Sequence, residues 1–449
     1  MVEDSENKRE LKLMTVLPPD DPQRPSLHNE VHARPSARIR LPAFILLVGV
    51  FNEGVSREQE CEHLQQLQPS LSLQEMQGNF VRLRMNDYTL KWERHTEFTR
   101  YSLVQSLPID AGLGSQEPEL LSHLKLPQGW LAAIPGQTFS AIKLVMLHDD
   151  LHDPAMALEQ ARQWMGDSPL IASRMGHPAH SLVATDFRLR DSGFERMLVL
   201  APVGTSMSRA GRISQRLLEL ETYRLMALRG LPIAKLVSAQ LGQAEKELSD
   251  IIDSLEQQDG NDQALLTRLV GLAAAVERTT AEHAYRFAAT AAYDKLVTER
   301  IAELRESPIS GTQTIGEFMR RRLSPAMATV AATSQRLGAL SERVNRASSL
   351  LRTRVDIATE EQNRILLEKL TKGQELQLRL QSTVEGLSIA AISYYVVSLL
   401  LYAGKAGKAA GLDIQPELWA GSLIPLVLWL VWKATRRIHA KLYSQTHAD

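Results

Sequence analysis

GLSIAAISYYVVSLLLYA (386–403) and LWAGSLIPLVLWLVW (418–432) set the architecture of this 449-residue chain. Each run is uncharged, and at about 1.5 Å rise per residue the first nearly crosses a hydrocarbon core of roughly 30 Å. The pair predicts a C-terminal transmembrane hairpin, residues 386–404 and 418–434 within a segment 385–441, with the lipid bilayer as its partner. Trp419, Trp429, Trp432 and Tyr402 fall near the span ends, where amphipathic rings prefer the interface. Pro425 predicts a kink in the second span.

Orientation follows from the flanking cations. Lys369, Lys372 and Arg379 precede the first span, and Lys433, Arg436, Arg437 and Lys441 follow the second, against only Lys405 and Lys408 between them. The positive-inside rule puts both ends in the cytoplasm. The N-terminal segment MVEDSENKRELKLM is charged throughout and lacks the apolar core of a secretory signal. One cysteine, Cys61, excludes an intramolecular disulfide framework and fits a reducing compartment. A net charge of −1, from 51 basic and 52 acidic residues, gives no global field for nucleic acid.

Upstream of the hairpin the periodicity changes twice. Residues 1–40 hold Pro18, Pro19, Pro22, Pro25 and Pro35 and read as an extended segment. Residues 41–204 read as an α+β domain built from a β-α-β-β-β pattern that occurs twice. The first copy has a buried strand Phe44–Phe51, a helix Arg57–Leu67, and strands Phe80–Met85, Thr89–Glu93 and Phe98–Leu103. The second has strand Phe139–Leu147, helix Pro154–Met165, and strands Leu170–Met175, Leu182–Arg188 and Phe194–Leu200. Residues 205–384 read as long helices: Arg212–Arg229, Ile233–Leu255, Gln263–Arg305, and a last one from Thr314, bent at Pro325, that continues into the first span. Along it Val330, Leu337, Val344, Leu351, Ala358 and Ile365 recur every seventh residue, with Leu340 and Ala347 between them. Such a seam suits either a homo-oligomeric coiled-coil stalk or packing on the preceding helix of the same chain.

Few residues carry chemistry. In LHNEVHARP (27–35), an extended strand would put His28, Glu30 and His32 on one face, a set able to bind zinc or another transition metal. The spacing is not that of HExxH, and a structural role for these groups is the competing reading. His63, His95, His148, His177 and His180 are the remaining candidate ligands. WERHTEF (92–98) reads as a solvated hairpin turn with cross-strand pairs. Ala111–Ser115 lacks the Lys and Ser/Thr of a phosphate loop, and Cys61, inside a helical pattern, reads as a bystander. No catalytic residue and no cofactor is predicted.

Three strings, LHNEVHARP, KWERHTEF and the tract from RTRVDIATEEQNRILLEKL into the first span, resemble the bacterial membrane-anchored family known as domain of unknown function 3422. The resemblance runs from about Ser26 to Lys441. It implies a cytoplasmic body on a two-span anchor in the bacterial inner membrane, with no assigned activity. His28, Glu30, His32, Arg34, Trp92, Glu93, His95, Glu360, Glu361 and Gln362 match its signatures, without roles. The layout is also similar to CorA-type magnesium channels, but Tyr402-Ala403-Gly404-Lys405 stands where those carry Gly-Met-Asn. Lys405 and Lys408 at an outer mouth would repel divalent cations. Three functions therefore stand open: a non-enzymatic membrane-anchored sensor or interaction protein, an oligomeric channel or transporter, and a membrane-tethered metal-dependent hydrolase.

Overall fold

The computed structural model describes residues 21–24, 27–28, 37–109, 111, 126–166, 168–257, 262–409 and 415–445, with side chains as far as 437. The chain divides into two compact units. One comprises Met1–Asp259 and Thr267–Arg346, the other Gly260–Leu266 and Ala347–Asp449.

The first unit holds a sheet of strands β1 (Ala43–Phe51), β2 (Phe80–Arg84), β3 (Tyr88–Arg94), β4 (Phe98–Ser106), β5 (Gln137–His148), β6 (Ile171–Met175), β7 (Ser181–Thr185), β8 (Glu195–Ala201) and β9 (Ser307–Pro308). Their order is β2-β3-β4-β1-β5-β8-β7-β6-β9. Neighbours run antiparallel except β5 and β8, which are parallel. The apolar run FILLVGVF becomes β1, a central strand covered on both faces, which is why it does not alternate. With helices α1 (Arg57–Gln65) and α2 (Pro154–Met165), the order β-α-β-β-β does recur along the chain. The halves differ in polarity, since β4 is antiparallel to β1 whereas β8 is parallel to β5.

On one face, Phe44, Leu46, Val48 and Val50 pack with Leu90, Trp92, Tyr101 and Leu103 beneath α1 and α2. Those helices start where the sequence caps them: Ser56 and Gln59 form a capping box on α1, and Asp153 accepts from Ala155 N and Met156 N on α2. On the opposite face lies α3 (Met207–Leu228), whose Arg224 reaches Glu195 of β8 at 3.7 Å. Next come α4 (Gly230–Glu256), α5 (Asp262–Leu304), α6 (Ile315–Arg322), α7 (Ser324–Ala409) and α8 (Pro416–Gln445).

The segment 306–311 separates α5 from α6. It carries β9, and Glu306 accepts from Ile315 N at 3.0 Å and Gly316 N at 2.8 Å, capping α6. The last helix is interrupted at Leu323, two residues before Pro325, which sits in the first turn of α7, where its missing N–H costs nothing. The heptad seam has two fates. Val330, Leu337, Leu340 and Val344 are buried within the first unit, where Arg336 bonds Glu245 and Ser238 of α4. Ala358 and Ile365 are exposed.

The second unit contains the two apolar stretches. Windows in α7 and α8 are long and apolar enough to cross a membrane, with only 6% and 11% of them buried. A soluble core helix of that composition would be mostly covered, so these two helices are suited to lipid.

Candidate functional site

Side-chain alternation on β1 to β4 builds one polar patch opposite the main core. Register places Arg84, Thr89, Val104 and Ile45 in one cross-strand row, and Arg82, Lys91, Ser102 and Leu47 in the next. Glu93, Arg100 and Gly49 follow in the third. The rows run from charged at β2–β3 to apolar at β1. Above them, Gly211, Ser214, Gln215 and Leu218 form one face of α3, at i, i+3, i+4 and i+7. Ala37, Arg38 and Ile39 form a third side, and the cavity between them, partly open to solvent, is about 270 Å³.

Gly211 permits this closure. A Cβ there would lie 1.6 Å from the Ala37 carbonyl oxygen. The segment therefore crosses directly over the helix, held by Ile39 N donating to Met207 O at 3.1 Å, with Ile39 buried.

The cavity is strongly cationic. Among the described residues Arg38, Arg82, Arg84, Lys91 and Arg100 line it with one carboxylate, Glu93. Glu93 is buried and accepts from Lys91 Nζ at 2.9 Å and Arg100 Nη2 at 3.0 Å. Burial alone would raise its pKa, but Arg100 and Lys91 outweigh burial and hold it below the usual carboxylate range. Burial lowers Lys91, with Glu93 offsetting part of the effect. Burial also opposes the charge on Arg100, yet Glu93 and its neighbours leave that guanidinium raised. Arg100 keeps its Nε buried and without a hydrogen-bond partner among the described residues, an orphan donor that costs about 1–3 kcal/mol when nothing fills it.

The WERHTEF hairpin is not a solvated turn. Trp92 is fully buried in the main core, and Arg94 pairs with Glu60 of α1 at 2.5 Å and donates to Val55 O at 2.8 Å. His95 stacks on Phe98 at 4.5 Å, and Glu97 binds Arg286 and, at 3.0 Å, Tyr293 of α5. Arg94 and Glu97 are satisfied by residues distant in sequence and Glu93 by Lys91 and Arg100, which is why these charges can be buried. The hairpin joins sheet, α1 and α5, and delivers Glu93 to the cavity.

A second charged cluster lies between β8 and α3. Glu195 and Glu221 are both buried beside Arg224, which pairs with Glu221. Burial first, then the neighbouring Glu221, pushes Glu195 up to about 9, despite Arg224. At neutral pH this carboxyl is protonated, so the cluster carries one negative charge fewer than its composition suggests.

The other predicted residues scatter. His28 is exposed and lies in a helical turn, Leu27 N donating to Gln23 O at 2.9 Å, so the extended geometry assumed for it does not occur. Glu30, His32, Arg34 and residues 112–115 lie outside the described residues. His63 is buried and stacked on Trp130 at 4.3 Å, and burial lowers it to about 4. Cys61 is buried, and burial raises its thiol. His148 and His180 are half-buried and His177 is exposed. Among the described residues no group of three or more His, Cys, Asp or Glu could hold a metal ion. Glu360, Glu361 and Gln362 are exposed on α7, where Glu361 pairs with Arg364 at 2.7 Å.

Of the cavity residues only Glu93 was singled out from sequence; Arg82, Lys91 and Arg100 escaped because each sits on a strand face that alternation alone assigns to solvent. Only the register of four strands and the overlying α3 turn Arg82, Lys91 and Arg100 inward. The available signal was the amphipathic α3 following the sheet, which needs a face to cover.

No curated protein and no solved structure matches the chain, so the likeness to magnesium channels rests on element order alone. A family model described as "Protein of unknown function (DUF3422)" matches residues 19–442, nearly the whole sequence. The chain belongs to that family.

Proposed function

We propose that this is a membrane-anchored, non-enzymatic sensor whose α+β unit binds a small ligand in the cavity between β2–β4 and α3. The cavity itself carries the reading, because three separate chain segments enclose it and Gly211 is required for its closure. Its chemistry favours binding over catalysis. Glu93, the one lining carboxylate among the described residues, is held ionised by two cations and is not poised as a base. The apolar α7 and α8 supply the anchor, and the basic residues flanking them put both ends on the cytoplasmic side of a bacterial inner membrane.

A second copy of the chain is proposed as partner along α7. Beyond the buried part of its seam, Leu366, Leu370, Leu380, Val384 and Leu387 are exposed at spacings compatible with a heptad seam leading into the first span. A channel would need such an assembly, since two helices cannot enclose a pore.

The ligand reading is tested by thermal denaturation of the full chain in lipid nanodiscs against a panel of sugars, amino acids, nucleotides, organic acids and ions. Thr89→Trp adds an aromatic ring at the half-buried cavity wall, on a strand position that accepts one. A compound that stabilises the wild type but not T89W supports the reading. No stabilisation by any compound, or equal stabilisation of T89W, sinks it.

A further inference from the structure

On a neighbouring face of α3, Arg209, Arg212, Ile213 and Arg216 follow at i, i+3, i+4 and i+7 and line a second cavity of about 360 Å³, partly open to solvent. The turn between β6 and β7 adds His180, and the end of α5 adds Glu303 and Arg305. Gly176 N donates to Leu304 O at 3.0 Å and ties those two segments together. Four guanidiniums thus meet one carboxylate among the described residues, and that carboxylate is already engaged. Glu303 Oε2 accepts from Arg216 Nε at 3.0 Å and Oε1 from Arg300 Nη1 at 2.9 Å. Arg209, Arg212 and Arg305 have no ion pair among the described residues. His180 adds no charge at neutral pH. Its ring nitrogens meet Ser181 Oγ at 2.8 Å and Thr205 Oγ1 at 3.4 Å, and burial, then Arg209, holds its pKa below the usual value. Arg209 also breaks a local rule. It stands in the first turn of α3, which has no acidic residue, at the end where aligned peptide dipoles already place positive charge. Stability alone favours Asp or Glu there, and uncompensated departures of this kind mark functional positions.

We propose that this second cavity binds a diphosphate group, its oxygens shared among Arg209, Arg212 and Arg305. Planar guanidinium forks match phosphoryl oxygens in bidentate geometry. One phosphate monoester brings about −1.5 to −2 charge, short of three unmatched cations. Two linked phosphoryl groups supply the balance, and an anion there relieves the excess positive charge at the start of α3. The site is separate from the cavity over β2–β4 and stands or falls without it. Soluble nucleoside diphosphates and prenyl diphosphates of the bilayer carry the same group.

Calorimetric titration of the full chain in phosphatidylcholine nanodiscs, in magnesium-free buffer, tests this with pyrophosphate, inorganic phosphate and citrate. Pyrophosphate is expected to bind at least tenfold more tightly than either, and more weakly as salt is raised. Arg209→Gln and Arg305→Gln alter exposed side chains outside the core, one on α3 and one just past α5. Each is expected to weaken pyrophosphate about tenfold. Without anion, R209Q should melt no lower than the wild type, because it removes a cation from the positive end of a helix. T89W, in the other cavity, should bind pyrophosphate as the wild type does. Two further arms use ADP, and discs containing geranylgeranyl diphosphate read by thermal denaturation. A response lost in R209Q identifies a soluble source in the first arm and a lipid source in the second; either supports the proposal. Citrate or phosphate binding as tightly as pyrophosphate overturns the diphosphate class. The site itself is overturned by absent pyrophosphate binding, by binding unchanged in both arginine variants, by binding lost in T89W, or by a lower melting temperature of anion-free R209Q.

Discussion

Gly211→Ala separates this structure from helix propensity alone. In an isolated helix the substitution stabilises by about 1 kcal/mol. Here the new Cβ would lie 1.6 Å from Ala37 O, about 2 Å short of van der Waals separation. A helix backbone cannot yield that far, so the 37–39 segment must lift. Lifting breaks the Ile39 N to Met207 O bond of 3.1 Å and uncovers an Ile39 side chain now 2% exposed. The hydrogen bond contributes about 0.5–1.5 kcal/mol and the side chain about 1.5–3 kcal/mol. After the propensity gain, a net loss of about 1–3 kcal/mol remains. Hydrogen–deuterium exchange of the full chain in detergent reads this locally. At about 1.4 kcal/mol per tenfold, the Ile39 amide should exchange roughly 10- to 100-fold faster. Unchanged or slower exchange would refute the account of how the cavity is closed.

Glu195→Gln should remove a pH dependence. With its pKa raised from 4.5 to about 9, native Glu195 keeps a proton that the unfolded chain releases across that window. Its contribution is complete below pH 4.5, declines as pH rises and is gone above 9, at a slope of up to about 1.4 kcal/mol per unit. Stability-versus-pH curves of E195Q should be flatter between those limits, and parallel curves would argue against a protonated Glu195. Alanine replacements of Glu97 and Arg286, singly and together, should show a coupling of about 0.5–3 kcal/mol in a denaturation cycle; strict additivity would remove the hairpin's role as a tie to α5. Leu366→Glu combined with Leu370→Glu should reduce the detergent-extracted mass to that of a monomer. An assembly that persists would place the contact between copies elsewhere.

Local pattern carried much of the fold. The apolar run FILLVGVF declared a buried strand, and helical patterning marked Arg57–Leu67, Pro154–Met165 and the two helices that meet near Gly230. The site was a different matter, because its residues become neighbours only through register and chain crossing. Lys91 meets Arg82 and Ser102 across strands, and Ala37 meets Gly211 from the far end of the unit. WERHTEF looked solvated because its partners Glu60, Arg286 and Tyr293 are invisible in a short window. Strand polarity was equally hidden: similar hairpins in the two halves gave no sign that β8 would lie parallel to β5. The heptad from Val330 to Ile365 was legible as a seam, yet only burial separates the part used within the chain from the part left open.

The anchor is the claim on which the rest of the functional reading hangs, and alkaline carbonate extraction of membranes tests it most directly. The full chain should remain in the membrane pellet, whereas a chain ending at Glu385, without α8 and the apolar end of α7, should be released to the supernatant. Release of the full chain by carbonate would contradict the account.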